Sequence, residues 1–191
     1  MTTIFKTSLP LRSTHDTDPA FSEPLNSAQQ AMGMVPNMYA AMVNVPALLN
    51  TYQHGYGKFR AESGFTGVEQ EVIFLAISRF NGCHYCMAAH SFVADAMTKV
   101  PTEITDAIRD GRPIADAKLE ALRSFADAMT DSRGSPTPEQ AQAFLAAGYT
   151  EQHILGIILA ISVKVISNYT NHIFHTELDP AFAARAWSAA A

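Results

Sequence analysis

Cysteine is almost missing from this 191-residue chain: Cys83 and Cys86 are its only two. That excludes a scaffold of several disulfides and leaves one close pair to account for. Basic runs are also missing, and a formal net charge of −5 offers no general attraction for nucleic acid or an anionic membrane. The amino terminus has no basic stretch followed by an apolar core, so it does not read as a secretory signal. The most apolar run, Ile154 to Ile166, is interrupted by Ser162 and Lys164 and is too short to span a bilayer. Sustained apolar–polar alternation is lacking as well, which argues against sheet. The expectation is a cytoplasmic globular protein with no nucleic-acid or membrane partner. In that reducing compartment a lone cysteine pair is catalytic, redox-sensing or metal-binding.

What is present is helical. A hydrophobic fraction of 48% against 16% charged residues supplies ample core, and Ala, Leu, Met, Gln and Glu dominate the periodic segments. An irregular arm is expected over 1–21, followed by a single all-helical domain over 22–191. Helices are expected over about 23–32, 36–44, 46–62, 67–80, 83–99, 102–110, 115–130, 138–146 and 151–174, with a short tail from Pro180. Pro36, Pro46, Pro101 and Pro138 suit first turns, and Gly64, Gly111 and Gly148 suit the positions after helix ends. Thr66 with Glu69 forms the pattern of a capping box.

The chain also echoes itself. Gly64-Phe65-Thr66 returns as Gly148-Tyr149-Thr150, and Leu75-Ala76-Ile77-Ser78 as Leu159-Ala160-Ile161-Ser162, both at an offset of 84 residues. A shared offset favours duplication, giving repeats around 64–92 and 148–176 and an all-α fold of two pseudo-symmetric halves. Ser167 and Thr170 replace the cysteines in the second copy, so only the first is expected to carry chemistry. The 154–166 run is apolar on nearly every face, which predicts a helix buried all round in the core and in a subunit interface.

The chemistry centres on Cys83-His84-Tyr85-Cys86 and on His90. At about 100° per residue, Cys83, Cys86 and His90 share a helical arc of roughly 60°. Asn81-Gly82 reads as a hinge that places Cys83 in a first helical turn, where the dipole favours a thiolate. His90 is instead placed for Cys86. A dedicated base is the more specific cue, so Cys86 is assigned as the attacking thiolate and Cys83 as its resolving partner. Glu71, in an otherwise apolar run 12 residues before Cys83, is a candidate to polarise His90, against the plainer alternative of a solvated first-turn residue like Glu69. His84 and Tyr85, between the cysteines, and His54 are auxiliary candidates, His54 as a pocket-lining residue. His153, His172 and His175 read as ordinary polar contacts.

A C-x-x-C motif is weak alone, and the strand context of thioredoxin-like proteins is missing. A zinc site of Cys83, Cys86 and His90 with Glu71, His84 or His54 lacks the usual second separated ligand pair. Taken together, however, Glu71 and the Cys83, Cys86, His90 run in a duplicated helical chain resemble the alkylhydroperoxidase D (AhpD-like) family of the carboxymuconolactone decarboxylase superfamily. The resemblance covers about 35–175. It departs from the family pattern at Tyr85, where well-studied members carry a histidine. It implies a proton relay of Glu71, His90 and Cys86, with Cys86 peroxidatic and Cys83 resolving. It also implies peroxide as substrate, a lipoylated protein or small thiol as the dithiol reductant, and a homo-oligomer, trimer or hexamer. No haem, flavin or metal cofactor is required by that chemistry. Two alternatives stand beside it: a redox-sensing or disulfide-relay protein with little peroxide turnover, and a lactone decarboxylase-type lyase, which the cysteine pair argues against.

Overall fold

The structure, a computed structural model, describes residues 4–188. Among them are nine α-helices and no strand. They are α1 (Pro19–Met32), α2 (Asn37–Met42), α3 (Pro46–Glu62), α4 (Gly67–Phe80), α5 (His84–Val93), α6 (Thr102–Asp110), α7 (Ala117–Asp131), α8 (Pro138–Ala146) and α9 (Glu151–Phe174). A π turn, Ala94–Thr98, extends α5, and a 3₁₀ turn, Pro180–Arg185, follows α9. The first three residues of the expected arm and the last three of the expected domain lie outside the described residues.

Helix α4 is the axis of the molecule. Thr66 Oγ1 accepts from the Glu69 N–H at 3.3 Å while Glu69 Oε2 accepts from the Thr66 N–H at 2.9 Å, so both halves of the capping box are made. From Glu69 to Ser78 every residue of α4 is buried, against α5, α6, α7 and α9. Glu69 is therefore not the solvated residue its position suggested. Tyr149 Oη donates to its Oε1 at 3.1 Å, and Lys118 reaches the same oxygen.

That Tyr149 contact joins the two repeats. Gly64 and Gly148 both take positive φ, at 80° and 95°, and each leads through an aromatic residue into a threonine N-cap. The paired aromatics, Phe65 and Tyr149, meet with ring centroids 6.0 Å apart. The copies then diverge. Asn81-Gly82 ends α4, whereas Val165-Ile166 at the same offset lets α9 run on for 24 residues.

Two expectations need correcting. Helix α1 starts at Pro19, earlier than expected, because Asp18 caps it and Pro19 occupies the first helical position instead of breaking the chain. Helix α9 is not buried all round. Its inner face carries Ala160, Lys164, Ser167, Asn168 and Asn171, while Leu155 (66% exposed), Ile158, Tyr169 and Ile173 lie outside. The inner side lies against α2, α3, α4 and α5, so small and polar residues occupy the space that large ones would fill. By length and composition α9 is also apolar enough to cross a membrane, although core helices pass the same test.

A candidate thiol redox site

The break after α4 builds the site. Gly82 takes φ of +65°, and Asn81 Nδ2 donates to Asn168 Oδ1 at 2.9 Å, fastening the turn to α9. The Cys83 N–H then donates to Ser78 O at 2.9 Å, turning the chain straight into α5. Cys83 is the N-cap of that helix, one position before the first turn expected for it, and Cys86 is the third helical residue. Both thiols are buried and unbridged.

Their environments differ. Cys86 Sγ accepts from Asn171 Nδ2 at 3.3 Å, the same amide lies 3.9 Å from Cys83 Sγ, and the Ser167 hydroxyl donates to Lys164 O at 3.2 Å. Burial opposes its ionisation, but the Cys83 hydrogen bond, Lys164, His90 and Ser167 together hold its thiol well below the ordinary range. Cys83 is driven the opposite way, first by its own hydrogen bond to Cys86 and then by burial. One thiolate, at Cys86, beside one thiol, at Cys83, is the state these surroundings favour.

Glu71 and His90 come together directly. His90 Nδ1 lies 2.9 Å from Glu71 Oε2, and Arg60 Nη2 approaches Oε1 at 2.5 Å as a charge contact too oblique for an aligned hydrogen bond. Burial opposes the Glu71 charge, yet His90 and then Arg60 hold its carboxyl below the ordinary range. Burial, followed by Lys164, keeps His90 low, so the ring stands neutral with Nδ1 engaged. Phe74 stacks 4.7 Å from the imidazole, and Arg60 Nη2 donates to Tyr56 Oη at 2.7 Å. The alternative of a solvated Glu71 is thus overturned: its side chain has no exposure.

The auxiliary candidates separate. Tyr85 donates from Oη to Asp179 Oδ2 at 2.5 Å, and Asp179 also accepts from the Asn37 N–H at 3.1 Å, so Tyr85 ties the C-terminal segment to α2. His84 is exposed, with Nδ1 2.9 Å from Trp187 O. His54 is exposed on α3 and does not line the cavity; the expectation for it is not met. That cavity, about 550 Å³, is bordered by Cys83, His84, Tyr85, Asn171, His172 and His175 among others, whereas Cys86 lies behind it. Sequence reasoning treated His172 and His175 as ordinary contacts and overlooked Arg60, Lys164, Ser167 and Asn171. A signal existed for three of these: Lys164, Ser167 and Asn171 are spaced along one helix face of an apolar run.

Residues 46–128, from the start of α3 into α7, match the family model of the carboxymuconolactone decarboxylase family. That segment contains Glu71, both cysteines and His90. Over those residues the chain is similar to the carboxymuconolactone decarboxylase family. The fold of the chain resembles that of an uncharacterized peroxidase-related protein from Ralstonia eutropha JMP134, described as an alkylhydroperoxidase AhpD core. The TM-score is 0.79 at 19% identity, over 95% of this chain and 96% of that one. A peroxidase-related protein from Silicibacter sp. TM1040 aligns with TM-score 0.78 at 20% identity, over 95% of each chain. A cysteine-to-alanine variant of the debrominase Bmp8, in complex with 2,3,4-tribromopyrrole, aligns with TM-score 0.76 at 18% identity, over 94% of this chain and 97% of that one. No curated protein matches this chain in sequence. Lys164, Ser167 and Asn171 lie beyond the segment that the family model matches.

Proposed function

We propose that this protein is a cytoplasmic thiol-dependent peroxidase that reduces hydrogen peroxide or organic hydroperoxides through Cys83 and Cys86. The observation that carries this reading is a buried cysteine pair, with Asn171 donating to Cys86, close to a directly joined Glu71–His90 pair. The Cys86 thiolate attacks one peroxide oxygen and breaks the O–O bond, leaving Cys86 sulfenic acid and an alkoxide or hydroxide. The leaving oxygen takes a proton relayed through His90, whose ring Glu71 holds in place. No hydrogen bond joins His90 to Cys86, so a bridging water completes the relay. Cys83 then attacks the sulfenic sulfur, releasing water and forming the disulfide, which an external dithiol reduces. A small thiol or a lipoyl group fits that last role, since Cys83 is the sulfur that borders the cavity.

The test is a thiol count before and after one equivalent of cumene hydroperoxide, with peroxide followed by stopped flow. Both thiols should disappear without intermolecular crosslinks. Cys86→Ser should abolish consumption, and Cys83→Ser should stop at a sulfenic acid that dimedone labels. Peroxide consumed by Cys86→Ser at the parental rate would eliminate the reading.

The burial of Cys86 behind the cavity favours one second reading, a disulfide relay with slow peroxide turnover. Rapid exchange with a partner disulfide, alongside sluggish peroxide consumption, would select it. We also propose a homo-oligomer, trimer or hexamer, supported by the resemblance and by the apolar row Leu155, Ile158, Tyr169 and Ile173 left outside α9. Light scattering should return at least three times the mass of one chain, and a monomer would refute it.

A further inference from the structure

Lys164 is buried in the middle of α9, 1% exposed, and its Nζ has no hydrogen-bond or carboxylate partner among the described residues. The ammonium lies 5.5 Å from the Phe74 ring centroid, on the ring that also stacks on His90. A cation–π contact offsets only part of the cost of burying a charge, which runs to several kcal/mol. An anion must therefore balance it. Glu71 is already engaged on both oxygens, by Arg60 and by His90. The remaining acidic group is Cys86. Lys164, Ser167, Asn168 and Asn171 form one buried stripe of α9 at i, i+3, i+4 and i+7, and Asn171 donates to Cys86 Sγ at 3.3 Å.

The charges then close. Arg60 and Lys164 are cations, Glu71 and a Cys86 thiolate are anions, and His90 is neutral. Forming the Cys83–Cys86 disulfide removes one anion and leaves Lys164 buried without a counter-charge. We propose that Lys164 is the buried counter-ion of the Cys86 thiolate and that, by favouring the reduced pair, it makes the Cys83–Cys86 disulfide a strong oxidant of dithiols. This rests on the redox role of the pair in the function proposed above, but not on peroxide as the oxidant. In the reductive step the dithiol gives up two electrons and two protons. Its own S–S bond forms as the protein's breaks, one proton goes to Cys83, and the other leaves to solvent because Cys86 remains a thiolate. Stabilising the reduced form is what raises the potential of such a couple.

The other titratable groups around the pair are Tyr52, Tyr56 and Arg60 of α3, Glu71 of α4, His84, Tyr85 and His90 of α5, His172 of α9, and Asp179, to which Tyr85 donates. None of them is changed by the test. Lys164→Met, Lys164→Gln and Lys164→Arg are compared with the parent, each first shown to be folded by circular dichroism. Two readouts are taken: the pH profile of Cys86 alkylation in a Cys83→Ser background, and the exchange equilibrium of the intact pair with dithiothreitol. Lys164→Met and Lys164→Gln should move the alkylation profile up by at least one pH unit and shift the equilibrium at least tenfold towards the disulfide, about 30 mV. Lys164→Arg should keep both near parental. Folded neutral variants with unchanged profile and equilibrium would overturn the proposal. If neither neutral variant folds, the parent decides: its reduction by dithiothreitol must increase about tenfold per pH unit below the ordinary thiol range near 8.5. A pH-independent equilibrium would mean that no thiolate exists for Lys164 to balance. Peroxide enters neither readout, so failure of the peroxidase reading and failure of this one are distinguishable.

Discussion

Glu71 serves two partners with two oxygens, and removing its charge should register in both stability and turnover. Glu71→Gln leaves Arg60 without its counter-ion and is expected to cost about 3 kcal/mol at neutral pH, read from urea denaturation. The carboxyl is lower in the folded state than its ordinary value of 4.5. Its contribution is therefore fully present above that value and is lost as pH falls through the folded one. The stability gap between parent and variant should accordingly narrow in acid. Peroxide turnover should fall about 100-fold in the same variant, because the His90 ring loses the group that orients it. At this scale Cys83, Cys86, His90 and Glu71 were legible from spacing and residue type alone. Lys164 and Asn171 share a legible helix face, but they lie 78 and 85 residues beyond Cys86, and no local pattern says that this face turns towards the sulfurs.

At the scale of elements, the turn at Gly82 ends α4 and seats Cys83 at the entrance of α5, a break that the second copy lacks. A Cβ at Gly82 meets no atom within 4 Å, so Gly82→Ala tests backbone strain alone. It should cost about 1–2 kcal/mol for the left-handed conformation, seen as a lower urea midpoint, with slower disulfide formation as the α5 entrance relaxes. Thr66→Ala should cost about 1 kcal/mol through the lost cap of α4. The bounds of α3, α4, α6, α8 and α9 follow closely from prolines, capping residues and glycines. The start of α1 did not, since a proline reads equally as a breaker or a first helical residue until its cap is seen. The end of α5 was equally hidden, because its π turn keeps helical composition to Thr98.

For the whole molecule, the site depends on segments that close over it from both ends. The arm docks through the Thr7 N–H on Ile173 O and the Arg12 N–H on Ala40 O. Asp179 gathers Tyr85 and Asn37 from two other elements. Asp179→Ala strands a buried Tyr85 hydroxyl and an amide, and should cost about 1–3 kcal/mol. Measured by thermal denaturation, that loss should accompany faster alkylation of Cys83, which the C-terminal segment helps to bury.

Helical class, the internal echo and the candidate site residues were legible in the order of residues, since periodicity, caps and the C-x-x-C spacing act within a few turns. Which sulfur carries the charge was decided in three dimensions. The dipole and the imidazole drew the local cues to different cysteines. Cys86 is favoured because a distant helix sets the Asn171 amide on that buried atom and carries Lys164 on the same face, where low dielectric strengthens each of them.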